Sequence, residues 1–187
     1  MKRGFAALLS ALLCLALALP GLAQGAEETI EIDGYRLTCV IPEGYTTEVK
    51  RLNNLTLLLD LVPGDPAMAD LNMTVTRSEE LDGTTLNDSL PEEEFARIEA
   101  ALIQDAVAPE VTIGETAYGT KLLMMREETE ADDYLVMISV WNGYVIETHL
   151  FPGAGTKRLS DADIDMAVRF NSDFFIYADA GESPAAQ

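Results

Sequence analysis

The chain has 187 residues, with 12 Lys+Arg against 32 Asp+Glu and a formal net charge of -20. Such a sheath of carboxylates repels nucleic acid, whose affinity for proteins rests on phosphate neutralisation by Lys and Arg. It equally disfavours anionic lipid headgroups.

The opening segment reads as an export signal. Lys2 and Arg3 give a positive start, Phe5 to Leu19 is almost unbroken Leu and Ala, and Pro20-Gly21 closes the run. Small residues at Gly21 and Ala23 then fit signal-peptide cleavage after Ala23, with Ala26 as the second choice. The apolar run is shorter than the roughly 20 residues a bilayer-spanning helix needs, so a retained anchor is the lesser reading. Leu13 precedes Cys14, where a lipoprotein signal would carry a small residue. Residues 1–23 are therefore expected to be a signal peptide, the protein to be secreted or extracytoplasmic, and nothing to stay inserted in a membrane. Loss of those 23 residues leaves 164, and loss of Lys2 and Arg3 moves the charge from -20 to -22. That length suits one domain, expected over 27–177, with 178–187 as a small, polar, disordered tail. Cys39 is then the lone cysteine, so the domain relies on its core rather than on an internal disulfide.

In chain order, Ile30-Glu31-Ile32 alternates, Asp33-Gly34 turns the chain, and Tyr35 to Ile41 alternates again before Pro42-Glu43-Gly44. Leu55 to Val62 is a nearly solid apolar run, predicting a central strand buried on both faces. Leu71 to Thr76 alternates. Ser89 and Glu92 form a capping-box pattern with Pro91 in the first turn, opening a helix with Phe95, Ile98, Leu102 and Ala106 on one face. Val111–Ile113, Thr120–Arg126, Tyr134–Trp141 and Tyr144–Phe151 are further strands. The last two flank Asn142-Gly143, the strongest short hairpin signal. Ser160 and Asp163 repeat the capping pattern before Ile164, Ala167, Val168 and Asn171, and Phe174-Phe175-Ile176 follows. The fold class is α+β: a single domain, largely antiparallel, with one internal helix and one helix near the C-terminus.

The segment Tyr35-Arg36-Leu37-Thr38-Cys39-Val40-Ile41-Pro42-Glu43-Gly44-Tyr45 resembles the alternating strand and Pro-x-Gly-aromatic turn that open PsbP-like proteins. Bacterial DcrB-type and LpqN-type exported proteins belong to that superfamily. Its order of paired strands, helix, four-strand meander and final helix is similar too. The resemblance spans Ile30 to Ile176 and implies an αβα sandwich serving as a binding or accessory module. It carries over no catalytic or ligand residue.

Candidate chemistry is sparse. His149 is the single histidine, and in the strand after the hairpin Glu147 lies two residues from it, on the same face. A carboxylate so placed can orient an imidazole for proton transfer, which makes His149 and Glu147 the catalytic candidates. No Gly-x-Ser-x-Gly elbow, Cys-x-x-Cys, His-Glu-x-x-His or phosphate-cradling loop accompanies them. The loop from Glu127 to Asp133 packs five carboxylates into seven residues, and Glu127, Glu128, Glu130, Asp132 and Asp133 are the candidate ligands for Ca²⁺. The competing reading is a solvated hairpin tip. Trp141 and Tyr144 face each other across the hairpin as a candidate ligand or partner surface. The leading expectation is a secreted, non-catalytic bacterial binding module without cofactor, monomeric, whose partner is a protein or small ligand. An extracellular hydrolase using His149 and Glu147, and an acidic Ca²⁺-binding module, are the alternatives.

Overall fold

The computed structural model describes residues 26–32, 35–104, 110–130 and 133–178. The expected leader and the Asp33-Gly34 turn lie outside them, as do Ala106, Asp132 and residues 179–187. Ten strands and two helices follow in order: β1 Ala26–Ile32, β2 Tyr35–Ile41, β3 Tyr45–Arg51, β4 Thr56–Pro63, β5 Asp70–Arg77, α1 Glu92–Ile103, β6 Thr112–Glu115, β7 Lys121–Glu128, β8 Asp133–Trp141, β9 Tyr144–Phe151, α2 Asp161–Asp173 and β10 Phe175–Ala178. The protein is α+β, and every strand pair is antiparallel. Among the described residues no helix is long and apolar enough to cross a membrane.

A seven-stranded sheet runs β3-β4-β5-β9-β8-β7-β6, so two meanders meet where β5 pairs with β9. A smaller sheet, β1-β2-β10, joins α2 on one face of it. Leu37, Cys39, Leu59, Leu71, Met73, Met137, Leu150, Phe170 and Ile176 build the main core there. On the other face Ile98 of α1, with Phe95 and Leu102 beside it, packs on Leu123, Met125, Ile138 and Val140 of β7 and β8. The outward side chains of β3, β4 and β5 belong to neither cluster.

Local signals explain much of this. Asn142 and Gly143 hold φ of 47° and 82°, the tight primed turn that matches strand twist. Ser160 accepts from the Asp163 N–H while Asp163 accepts from the Ser160 N–H, a complete capping box. Other expectations need correction. β4 is not buried on both faces: Leu57, Leu59 and Leu61 are buried, but Thr56, Leu58 and Asp60 face outward and Val62 is exposed, because no described helix covers that side. Ser89 does not cap α1. Its hydroxyl donates to Asn87 Oδ1, and Pro91 stands at the N-cap with no side-chain bond. β3 went unpredicted, because Thr, Glu, Lys and Arg mask its half-buried Tyr45, Thr47 and Val49 on an edge strand. Ala178 closes β10 instead of opening a tail.

Cys39 is 0 % exposed in the main core, and burial, reinforced by the charge of Glu28, pushes its thiol up to about 12. The thiolate is the reactive form. The native protein is therefore expected to resist an aromatic disulfide reagent at neutral pH and to react fully in denaturant. Rapid native labelling would contradict the core placement.

Candidate functional site

The sheet sorts the sequence-singled residues by face. Glu147 and His149 project from β9 away from the main core, and His149 Nε2 lies 2.7 Å from Glu147 Oε1. The hydrogen bond to His149 holds the Glu147 carboxyl below its ordinary range against the opposing effect of burial. Both side chains are partly exposed, at 31 % for His149 and 39 % for Glu147. Strand register sets Asn72 and Val136 on either side of His149, and Thr74 and Ile138 on either side of Glu147. The His149 ring stacks on Phe151 at 6.2 Å. The couple thus has the geometry of an oriented imidazole, presented on a sheet face.

The acidic loop divides among different tasks. The Asp133 side chain is 0 % exposed and pairs with Arg126 through two bonds of 2.9 Å. It also accepts the Leu159 N–H at 2.7 Å. Bonding to Arg126 holds its carboxyl below the usual range against desolvation. Glu127 accepts from the Tyr134 hydroxyl. Glu128 lies 3.7 Å from Arg126, and Glu130 is exposed. Among the described residues no three acidic, His or Cys side chains are gathered around one point suited to a metal ion. Asp133 and Glu127 serve as structural acceptors.

Trp141 and Tyr144 are register partners, but they are not a joint surface. Tyr144 is 6 % exposed, within the main core. Trp141 is half-buried and meets Phe175 edge-on, with ring centroids 4.9 Å apart. Phe175 also contacts Tyr118, at 4.7 Å.

These three rings belong to a crevice that sequence reasoning missed. It is a shallow crevice on the α2 side of the large sheet, with an enclosed space of only about 10 Å³. Thr116, Tyr118 and Thr120 reach it from the β6–β7 turn, Ser139 and Trp141 from β8, Ile146 from β9, Asn171 from α2, and Phe174 to Ile176 from the entry to β10. The turn is fixed by Thr116 and Thr120, whose hydroxyls lie 2.6 Å apart, and by the Ala117 N–H donating to Ser172. Asn171 is fixed by accepting from the Thr148 hydroxyl at 2.8 Å and donating to the Ala167 carbonyl at 2.9 Å. No lining residue is ionisable in the neutral range. The only sequence hint was an aromatic, Tyr118, inside a Thr-flanked Gly turn. Because successive side chains of a strand alternate, Ile146 at the crevice and Glu147–His149 lie on opposite faces of β9. A second shallow crevice lies by the β3–β4 turn and includes neither His149 nor Trp141. Compared with known proteins, the chain matches no protein-family model and no curated protein.

Proposed function

We propose that this chain is an exported bacterial domain, carried out by its residue 1–23 leader, that binds a partner or small ligand without catalysis. The observation that carries the reading is the separation of concavity from acid–base chemistry. The aromatic crevice is a shallow concavity that mixes rings with the polar side chains of Thr116, Thr120, Ser139 and Asn171, and it holds no group able to move a proton near neutral pH. The His149–Glu147 couple lies on the other face of the sheet. A PsbP-like identity agrees with the order of elements, in which two meanders flank an internal helix and a helix precedes the last strand. The 2.7 Å contact between His149 and Glu147 favours an extracellular hydrolase as the second reading.

Two measurements separate them. The protein immobilised as a bait is expected to retain a component of its own envelope or secreted fraction, and Tyr118→Ala is expected to lose it. A broad hydrolase screen is expected to show no turnover. Turnover that disappears in His149→Ala would establish the second reading in place of the first.

A further inference from the structure

We propose that the uncovered face of the large sheet docks an arginine-bearing segment of a partner protein, with guanidinium groups over Phe151 and Tyr134 and against the carboxylates beside them. This surface is separate from the crevice, which opens on the opposite face of the sheet.

Strand register assembles the face. Glu48, Asp60, Asn72 and His149 stand side by side across β3, β4, β5 and β9. In the next row Asp70 pairs with Phe151, and Glu127 with Tyr134. The rings of His149, Phe151 and Tyr134 follow one another at centroid separations of 6.2 and 6.0 Å. Phe151 of β9 and Val62 of β4, on either side of β5, are each 38 % exposed. α1 packs farther along the sheet, over Leu123, Met125, Ile138 and Val140.

Charge and shape select the occupant. Glu48, Asp60, Asp70, Glu127 and Glu147 share this face with a single lysine. That lysine, Lys50, lies 2.9 Å from Glu48 and 3.7 Å from Asp60, so its charge is already met. A surface of one sign attracts the other. Among cationic side chains, arginine adds a planar group that stacks on aromatic faces. A second copy of this chain would set the same acidic face, on a molecule of charge -20, against itself. A bare metal ion finds no three acidic, His or Cys side chains gathered around one point among the described residues. The exposed Val62 and Phe151 offer apolar contact that a single small cation would leave uncovered. A peptide segment supplies both charge and apolar cover.

His149 is the single histidine, so its imidazole protons in the NMR spectrum of the untagged full chain report on this face alone. The chain is titrated with a short peptide of alternating Arg and Leu, with its Lys counterpart and with its Glu counterpart. The salt is held at about 150 mM, where exposed charges more than about 8 Å apart are largely screened. Calorimetry gives the affinities. The expected result is a saturable shift of the His149 signals with the arginine peptide, weaker binding of the lysine peptide and none of the glutamate peptide. Phe151→Ala, which leaves the charge unchanged, is expected to weaken binding roughly five- to tenfold. Asp70→Asn combined with Glu147→Gln is expected to weaken it about fivefold. Asp161→Asn combined with Asp165→Asn removes the same charge from α2, beyond the opposite face of the sheet, and is expected to leave the affinity within about twofold. Absence of a saturable shift with the arginine peptide overturns the proposal. So does equally tight binding of the lysine peptide, unchanged affinity in Phe151→Ala, or equal losses in the two charge-removing pairs. Tyr118→Ala, at the crevice, is expected to leave the peptide bound, and a loss there as large as in Phe151→Ala overturns the placement on this face.

Discussion

Replacing Asp133 by Ala is expected to destabilise the domain by about 2–3 kcal/mol, because it leaves the buried Leu159 N–H unpaired and takes the bidentate partner from the partly exposed Arg126, which keeps Glu128 at 3.7 Å. For a domain of this size that corresponds to a fall in melting temperature of up to about 10 °C. Three bonds converge on the one carboxylate: two from Arg126 of β7, at 2.9 Å each, and one from the Leu159 N–H, at 2.7 Å. Leu159 immediately precedes the Ser160 cap of α2, so Asp133 ties the start of β8 to the start of the helix covering the main core. Glu130, exposed in the same loop, provides the contrast: Glu130→Gln is expected to stay within about 0.5 kcal/mol of the native protein. The pH dependence follows from the direction of the Asp133 shift. Its folded-state carboxyl is held below the ordinary value of 3.8, so its stabilisation is complete above that value and is lost as pH falls through the lower, folded one. The stability gap between native protein and Asp133→Asn is thus expected to be constant from neutrality to about pH 5 and to close in stronger acid. Denaturant melts at a series of pH values measure it. A gap that is absent at neutral pH, or that widens on acidification, would show the carboxylate to be no anchor.

The contrast between Asp133 and Glu130 also marks what can be read from sequence. Five carboxylates in seven residues are visible as a cluster, but their division into buried anchor, tyrosine acceptor and solvated charge depends on Arg126, Tyr134 and Leu159, brought in by sheet register and by the approach to α2. Local codes were legible: the Asn142-Gly143 turn and the Ser160–Asp163 box form within a few residues of themselves. So was the Glu147–His149 couple, because strand alternation alone puts residues i and i+2 on one face. The capping pattern at Ser89 misled, since Asn87 competes locally for the same hydroxyl. The crevice was illegible for a topological reason. Tyr118, Ser139, Trp141 and Phe175 come from a turn, a central strand and the last strand, and no local periodicity relates them. The acidity has a different consequence once the fold is known. Most of the described carboxylates stand on exposed faces and loops, and no ionised side chain lines the aromatic crevice.

Gly153→Ala is the second substitution with a large expected cost, about 3 kcal/mol, for a reason of space rather than of backbone conformation. A Cβ at Gly153 would stand 2.1 Å from the Met68 carbonyl oxygen and 2.4 Å from that of Ala67. Both obstacles are backbone, so no rotamer change relieves them. The β4–β5 connection and the exit of β9 here lie backbone against backbone, held by the Ala154 N–H donating to the Pro66 carbonyl at 2.6 Å. The Met68 N–H donates to Asp65 O at 2.9 Å, which keeps the opposing turn from yielding. Separating the two segments by the ångström that a methyl group requires would break the first of these bonds and loosen Ala69, 2 % exposed in the main core. Gly155 is the internal control. Its φ is +85° and nothing lies within 4 Å of where its Cβ would be, so Gly155→Ala is expected to cost only about 1–2 kcal/mol of left-handed backbone strain. Chemical denaturation of the two variants should therefore separate two glycines two residues apart, with Gly153→Ala much the weaker protein. Equal losses would mean that the two loops part easily, and that the contact between the meanders at this end of the sheet is not held by close backbone packing.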